Sequence, residues 1–158
     1  HEPQLSIPLA NQAKAKGIST VLDAGSVHEG TLALMAIVDH LVCSEKFALQ
    51  LHGNAETALS RLADISPNVV ITLGDKGLIW QQGGIRGALP AFSVKAIDTT
   101  GAGDAFHGAF AAAVALELAW DDILRYASAA GALCCTKAGA RLGLLSYQAH
   151  WDLFKEGL

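Results

Sequence analysis

The sequence lacks several features that would point to particular classes of protein. It has only three cysteines in 158 residues, too few and too oddly spaced for a disulfide framework. Its 11 lysines and arginines are outnumbered by 15 acidic residues and form no basic run. Nucleic acids and anionic membrane surfaces are therefore not expected as partners. The most apolar stretch, residues 109–116, is too short to span a bilayer, and no basic segment of a signal peptide precedes it.

Apolar and small residues are what the sequence has in abundance. Hydrophobic residues make up 51% of the chain and the mean hydropathy is +0.33, which argues against disorder. The length suits one domain or a piece of a larger one, and the start at His1 without methionine suggests a piece. The thiols of Cys43, Cys134 and Cys135 are expected to be buried in a protein of a reducing compartment, the cytoplasm.

The hydrophobic pattern predicts helices that alternate with strands, and hence a parallel sheet covered by helices. Helices are expected at 7–16, 31–37, 45–51, 55–63, 102–118, 121–137 and 146–154. Strands are expected at 18–24, 39–43, 68–73, 78–80, 85–89 and 92–96. Gly83-Gly84 predicts a hairpin turn that makes the sheet mixed, and Ser44 is expected to cap the helix that follows it.

The segment most informative about chemistry is DTTGAGD, residues 98–104, directly before the longest predicted helix. Its two glycines let the backbone turn sharply and let an anion approach the amides. The first N–H groups of a helix have no internal partners, and together with the helix dipole they form an anion site. Asp104 adds a carboxylate that can accept a proton from a substrate hydroxyl. This combination is typical of phosphoryl transfer to an alcohol.

A simpler interpretation of the same residues is helix capping, with a threonine as N-cap and Asp104 in the first turn. Two other nucleotide-binding patterns are excluded by spacing. Gly101, Gly103 and Gly108 do not form G-x-G-x-x-G, and no G-x-x-x-x-G-K-[ST] occurs.

Three segments, in the same order, resemble the PfkB/ribokinase-like sugar kinases. DTTGAGDAFHGAF at 98–110 resembles the C-terminal signature of that family, VITLGDKG at 70–77 resembles its V-T-L-G-x-x-G strand and turn, and 126–140 resembles its A-x-A-A…T-x-x-G-A segment. The resemblance implies an α/β fold, the ribokinase-like three-layer αβα sandwich, with a mostly parallel sheet and an antiparallel hairpin. It also implies that residues 1–158 are the C-terminal nucleotide-binding portion of a single PfkB-type kinase domain, with the N-terminal half and the lid absent.

The resemblance further implies a carbohydrate kinase that uses ATP and Mg²⁺ to phosphorylate a hydroxyl of a ketose or pentose sugar. Asp104 would be the catalytic base, and the anion hole would consist of the amides of Gly101, Ala102 and Gly103. The nucleotide would be bound by Thr72, Gly74, Asp75, Gly77, Gly103 and Ser128. A monovalent cation, K⁺, would be bound by Asp98, Thr100 and the carbonyls of Cys134, Lys137 and Gly139.

The sequence departs from the family pattern at two places. Ser44 and Phe47 stand at the Asn and Glu positions of an N-x-x-E motif that helps to organise Mg²⁺, and Glu45 is out of register. A capped helix start is the alternative interpretation of that segment. Gly143 stands where some members have a serine ligand for the cation. His107, one turn after Asp104, is expected to pack in the helix rather than to catalyse.

Two other functions stay open on the sequence alone. One is a non-catalytic nucleotide-binding fragment, and the other is a kinase of a hydroxymethyl heterocycle or a nucleoside. Residues 43–45 and 135–143 resemble the sulfofructose-kinase-like branch of the family, although neither segment identifies the sugar. The resemblance also implies a homodimer formed through the lid that this sequence lacks.

Overall fold

The computed structural model describes residues 3–144 and 146–156. The helices are α1 (Pro3–Ala15), α2 (Glu29–Met35), α3 (Glu45–His52), α4 (Ala55–Ala63), α5 (Ala102–Ala115), α6 (Trp120–Cys134) and α7 (Tyr147–Glu156). The strands are β1 (Val21–Ala24), β2 (His40–Ser44), β3 (Asn68–Thr72), β4 (Leu78–Gln82) and β5 (Ile85–Leu89). The chain divides into two compact units between Ala88 and Leu89.

The first unit is built on a mixed sheet with the strand order β1-β2-β3-β4-β5. Strands β1, β2 and β3 are parallel, and β4 is antiparallel to β3. The turn from β4 to β5 is Gly83-Gly84, whose φ angles are 54° and 83°, as a two-residue hairpin loop requires. The carboxyl ends of β1, β2 and β3 therefore lie side by side, and ligands of open α/β sheets bind at that edge.

The core of the first unit forms because β2 and β3 each bury three consecutive residues, the pattern of parallel strands covered on both faces. Phe47 of α3 and Leu62 of α4 are fully buried against these strands in one hydrophobic cluster. The predicted cap is confirmed, since the Ser44 Oγ accepts a hydrogen bond from the Phe47 amide at 3.1 Å. This cap fixes where β2 ends and α3 begins.

The second unit contains the three C-terminal helices, α5, α6 and α7. Phe106 and Phe110 of α5 are buried and stack with ring centroids 6.2 Å apart. Helix α6 approaches the start of α5 closely at Gly131, where a β-carbon would lie 3.3 Å from the Ala102 carbonyl oxygen. Helix α7 is attached to α6 through His150, whose Nε2 donates to the Tyr126 carbonyl at 2.8 Å. Within residues 3–144 and 146–156, no helix has the length and apolarity needed to cross a membrane.

Some predictions of local structure are wrong. Residues 92–96 form no strand, because a strand needs a hydrogen-bonded neighbour and the five strands of the described chain pair without this segment. Cys135 is half-buried rather than buried, whereas Cys43 and Cys134 are buried, and all three thiols are free. Helix α5 ends at Ala115 rather than at 118, just before Glu117 with a left-handed φ of 55°. Helix α6 ends at Cys134 rather than at 137.

Candidate active site

The first turn of α5 follows a glycine N-cap, which has no side chain to accept hydrogen bonds from the main-chain amides. Gly101 is the N-cap and has a left-handed φ of 79°. A glycine has no side chain, so it makes no side-chain capping hydrogen bond. The first hydrogen bond of the helix runs from the Ala105 amide to the Gly101 carbonyl at 2.9 Å. The amides of Gly103 and Asp104 lie before it, where a helix supplies no internal acceptor. The alternative of a threonine N-cap is therefore wrong.

The amide of Ala102, the first residue of α5, already has a hydrogen-bond acceptor. The Ala102 amide donates to the Thr99 carbonyl at 3.2 Å, near the long limit of an N–H···O hydrogen bond. Of the three residues predicted to form the anion hole, Gly101 and Ala102 are half-buried and Gly103 is exposed. A β-carbon at the position of Gly103 would meet nothing within 4 Å.

Asp104 lies in the same turn and is exposed, so a small molecule can reach its carboxylate. His107, one turn later, donates from Nδ1 to the Gly103 carbonyl at 2.7 Å. Its ring also contacts the Phe106 ring edge-on, with centroids 5.9 Å apart. His107 thus packs within the helix, as expected.

Asp98 joins the turn before α5 to the loop after α6. Its Oδ1 accepts from the Thr100 amide at 2.9 Å and its Oδ2 accepts from the Gly139 amide at 2.8 Å. These two backbone hydrogen bonds hold the pKa of the Asp98 carboxyl below its ordinary value. The Cys135 carbonyl accepts from the Ile97 amide at 2.8 Å, which attaches the end of α6 to the same turn.

Most residues predicted to bind a monovalent cation meet in this cluster. Besides Asp98, Thr100 and Gly139, the Cys134 thiol lies 3.6 Å from the Thr100 carbonyl oxygen. The side chain of Lys137 is exposed two residues before Gly139. A β-carbon on Gly143 would clash with the carbonyl of Leu133, so the serine ligand found in some family members has no room here.

The turn predicted to bind nucleotide lies at the carboxyl end of β3, in the first unit. Thr72 is the last residue of that strand, and its Oγ1 donates to the Cys43 carbonyl at 3.4 Å. The chain then forms a tight turn in which the Gly77 amide donates to the Gly74 carbonyl at 3.1 Å. Gly74 and Gly77 have φ angles of 64° and 90°, which favour glycine. Gly74 and Asp75 are exposed.

The start of α3 lies beside this turn, since the Glu45 Oε1 is 3.2 Å from the Lys76 Nζ. The Ser44 hydroxyl is used twice within the fold, because besides capping α3 it donates to the Gly25 carbonyl at 2.9 Å. Phe47 is 0% exposed. At the two positions of the N-x-x-E motif, Ser44 therefore caps α3 and Phe47 lies in the core. Neither residue is suited to be a metal ligand. Among the described residues, no three His, Cys, Asp or Glu side chains are grouped to hold a metal.

Ser128 lies on α6 in the second unit and is half-buried between two buried alanines, Ala127 and Ala129. Four of the predicted nucleotide-binding residues thus belong to the first unit and two, Gly103 and Ser128, to the second. Sequence reasoning missed the role of the Cys134 side chain and the ion pair of Glu45 with Lys76. No sequence motif predicts the thiol contact or the ion pair, because each joins segments that are distant along the chain.

Comparison with known proteins places these features in a family. The model of the pfkB family carbohydrate kinases matches residues 7–146. The ribokinase of Lactococcus lactis is 33% identical over 145 residues, which are 91% of this chain and 47% of that protein.

Solved structures agree with this comparison. A putative ribokinase from Agrobacterium tumefaciens superposes with a TM-score of 0.90 at 30% identity, over 98% of this chain and 53% of that one. The ribokinase of Arabidopsis thaliana, complexed with ribose and ATP, has a TM-score of 0.84 at 28% identity, over 94% of this chain and 51% of that one. The chain spans about half the length of these relatives. The chain therefore belongs to the pfkB family of carbohydrate kinases and has the ribokinase-like αβα fold that its motifs predicted.

Proposed function

We propose that the protein transfers the γ-phosphoryl group of ATP to a hydroxyl of a sugar of the ketose or pentose type. The observation that carries this proposal is the start of α5, where the exposed Asp104 lies beside amides that the N-cap, Gly101, has no side chain to cap. Membership in the pfkB family supports it. So does the likeness to a ribokinase that binds ribose and ATP.

In the proposed reaction, Asp104 accepts the proton of the sugar hydroxyl while that oxygen forms its bond to the γ-phosphorus and ADP leaves. The anion hole of Gly101, Ala102 and Gly103 donates hydrogen bonds to the oxygens of the migrating group. The positive end of the α5 dipole favours the charge that develops there. We assign the largest share to Gly103, because it is the exposed residue of the three and the Ala102 amide already donates to Thr99.

For the nucleotide, we assign the turn at the end of β3, with Thr72, Gly74, Asp75 and Gly77. Its support is the exposed backbone at Gly74 and Asp75, since backbone amides at glycine turns can approach phosphate oxygens closely. The assignments of Gly103 and Ser128 rest on the family resemblance.

Magnesium, when bound, neutralises the charge on the β- and γ-phosphate oxygens. Ser44 and Phe47 do not fit as its ligands, so no step is assigned to them. For K⁺ we propose the cluster around Asp98, whose carboxylate and neighbouring carbonyls are oxygen donors of the kind that bind this cation. The cluster comprises Asp98, Thr100, Cys134, Lys137 and Gly139. The cation would hold this loop in place beside the anion hole.

The test is ADP formation by the complete protein with ATP and Mg²⁺ and a panel of ribose, fructose, a nucleoside and a hydroxymethylpyrimidine. We expect sugar-dependent ADP release that Asp104→Asn abolishes. The matched control is Asp121→Asn, which removes an exposed acid from the first turn of α6 and should leave the rate unchanged. ATP binding without turnover of any alcohol would instead favour a nucleotide-binding module. Turnover of the nucleoside or the pyrimidine alone would favour a kinase of that other class.

A further inference from the structure

The thiol of Cys134 occupies a position that the proposed reaction does not yet use. Cys134 is the last residue of α6 and is 0% exposed. Its Sγ lies 3.4 Å from the Ala140 carbonyl oxygen and 3.6 Å from that of Thr100. A thiol is a weak donor at such distances. One side chain thus reaches both of the segments that meet at the start of α5.

These two segments are already in close contact next to the thiol. Thr100 directly precedes Gly101, the N-cap of α5, and a β-carbon on Gly101 would lie 2.5 Å from the β-carbon of Ala140. Asp98 Oδ2 accepts from the Gly139 amide on the same loop. The Cys134 thiol therefore adds a second connection between Thr100 and Ala140, next to the contact of Gly101 with Ala140. This contact positions the turn of the anion hole.

The Cys134 thiol can donate to either of these carbonyls, because both distances lie within the reach of a hydrogen bond from sulfur. An S–H group has a single proton, so it serves only one carbonyl fully at a time. The shorter distance favours the Ala140 carbonyl, on the loop that follows α6.

We propose that Cys134 is a positioning residue for phosphoryl transfer, whose thiol holds Thr100 and Ala140 and so orients the amides of the anion hole. This inference rests on the proposed function. Small displacements of groups that stabilise a transition state reduce turnover strongly, whereas they affect the binding of the ground state less. The loss should therefore appear in kcat and not in the KM for ATP.

The test compares Cys134→Ser, which keeps a donor, with Cys134→Ala and Cys134→Val, which have none. Valine also fills the space that alanine leaves empty. In the complete protein, we expect kcat to fall roughly tenfold in the alanine and valine variants and less than about threefold in serine, with the KM for ATP changed less than about twofold. Cys135→Ala is the matched control, because the Cys135 thiol donates to Gly131 within α6, and its kcat should not change.

Infrared spectroscopy supplies a readout that does not depend on activity. The difference between wild type and Cys134→Ala should contain an S–H stretching band shifted to the lower frequency of a hydrogen-bonded thiol. An unshifted band in an active protein would overturn this inference alone. So would an equal loss of kcat in the serine, alanine and valine variants, which would indicate only a packing role. An inactive wild type would overturn the proposed function, and the positioning role with it, even where the band is shifted.

Discussion

Gly101 and Ala140 approach each other so closely that a β-carbon on Gly101 would lie 2.5 Å from the Ala140 β-carbon and 3.1 Å from its α-carbon. Gly101 also has a φ of 79°, in the left-handed region that favours glycine. The contact and the dihedral angle together reserve this position for glycine. They also fix the start of α5 against the loop that follows α6.

Gly101→Ala should lower the free energy of unfolding by about 1–3 kcal/mol, because the new methyl group overpacks the contact and strains the backbone. Gly108→Ala is the control in the same helix, where a β-carbon meets nothing within 4 Å. That variant should gain about 0.5–1 kcal/mol, since glycine weakens a helix interior. Denaturant unfolding measures both. Equal stability of the two variants would contradict the close contact.

Gly103→Ala separates stability from activity. Its β-carbon would meet nothing within 4 Å, so the variant should fold with a Tm at least equal to that of wild type. The methyl group would nevertheless stand where an anion must approach the amide, and we expect kcat/KM to fall at least about tenfold. Steady-state kinetics and a thermal melt provide the two readouts. Unchanged kinetics would remove Gly103 from the anion hole.

Asp104→Asn should reduce kcat by about 10²–10⁴-fold, because the amide cannot accept the proton of the sugar hydroxyl. Its stability should remain within about 0.5 kcal/mol of wild type, since the side chain is exposed. Sugar-dependent ADP release measures the rate, with Asp121→Asn as the comparison. Near-normal turnover by the Asp104 variant would refute its role as base.

Phe47→Glu places a carboxylate at the Glu position of the N-x-x-E motif and should prevent stable folding. Phe47 is 0% exposed within the core of the first unit, and an unpaired charge buried there costs several kcal/mol. Glu45→Gln, two residues away, removes only an exposed ion pair with Lys76, typically worth less than about 1 kcal/mol. Circular dichroism and unfolding curves compare the two. A folded Phe47→Glu protein that gained Mg²⁺ affinity would show that the site can be restored.

Asp98 should contribute to stability in a pH-dependent manner. Hydrogen bonds from Thr100 and Gly139 hold its pKa below the ordinary value in the folded protein, so its contribution is fully present above the unfolded pKa of about 3.9. The contribution is lost as the pH falls through the folded pKa. The Tm of wild type should therefore exceed that of Asp98→Asn at pH 6, and the difference should shrink below about pH 4. A constant difference over the whole range would show that these hydrogen bonds do not act on the carboxylate.

Local structure could be predicted from the sequence where the residues that determine it lie within one short segment. The apolar run of β3, the glycine pair of the hairpin and the helix start at Ser44 are all found near their predicted positions. Residues 92–96 alternate between apolar and polar side chains and yet form no strand. Alternation shows only that a segment can be half-buried, whereas pairing depends on a neighbour that the local sequence does not specify.

The sequence by itself determined the family, the turn glycines and the acid at the start of α5, because short-range sterics and capping chemistry act between residues close along the chain. Only the tertiary structure decided that Asp98 bonds to Gly139, that the Ser44 hydroxyl donates to the Gly25 carbonyl and that Phe47 lies in the core. It alone also decided that the thiol of Cys134 lies between two carbonyls. These contacts join residues as many as 41 positions apart, and packing density rather than local preference selects them.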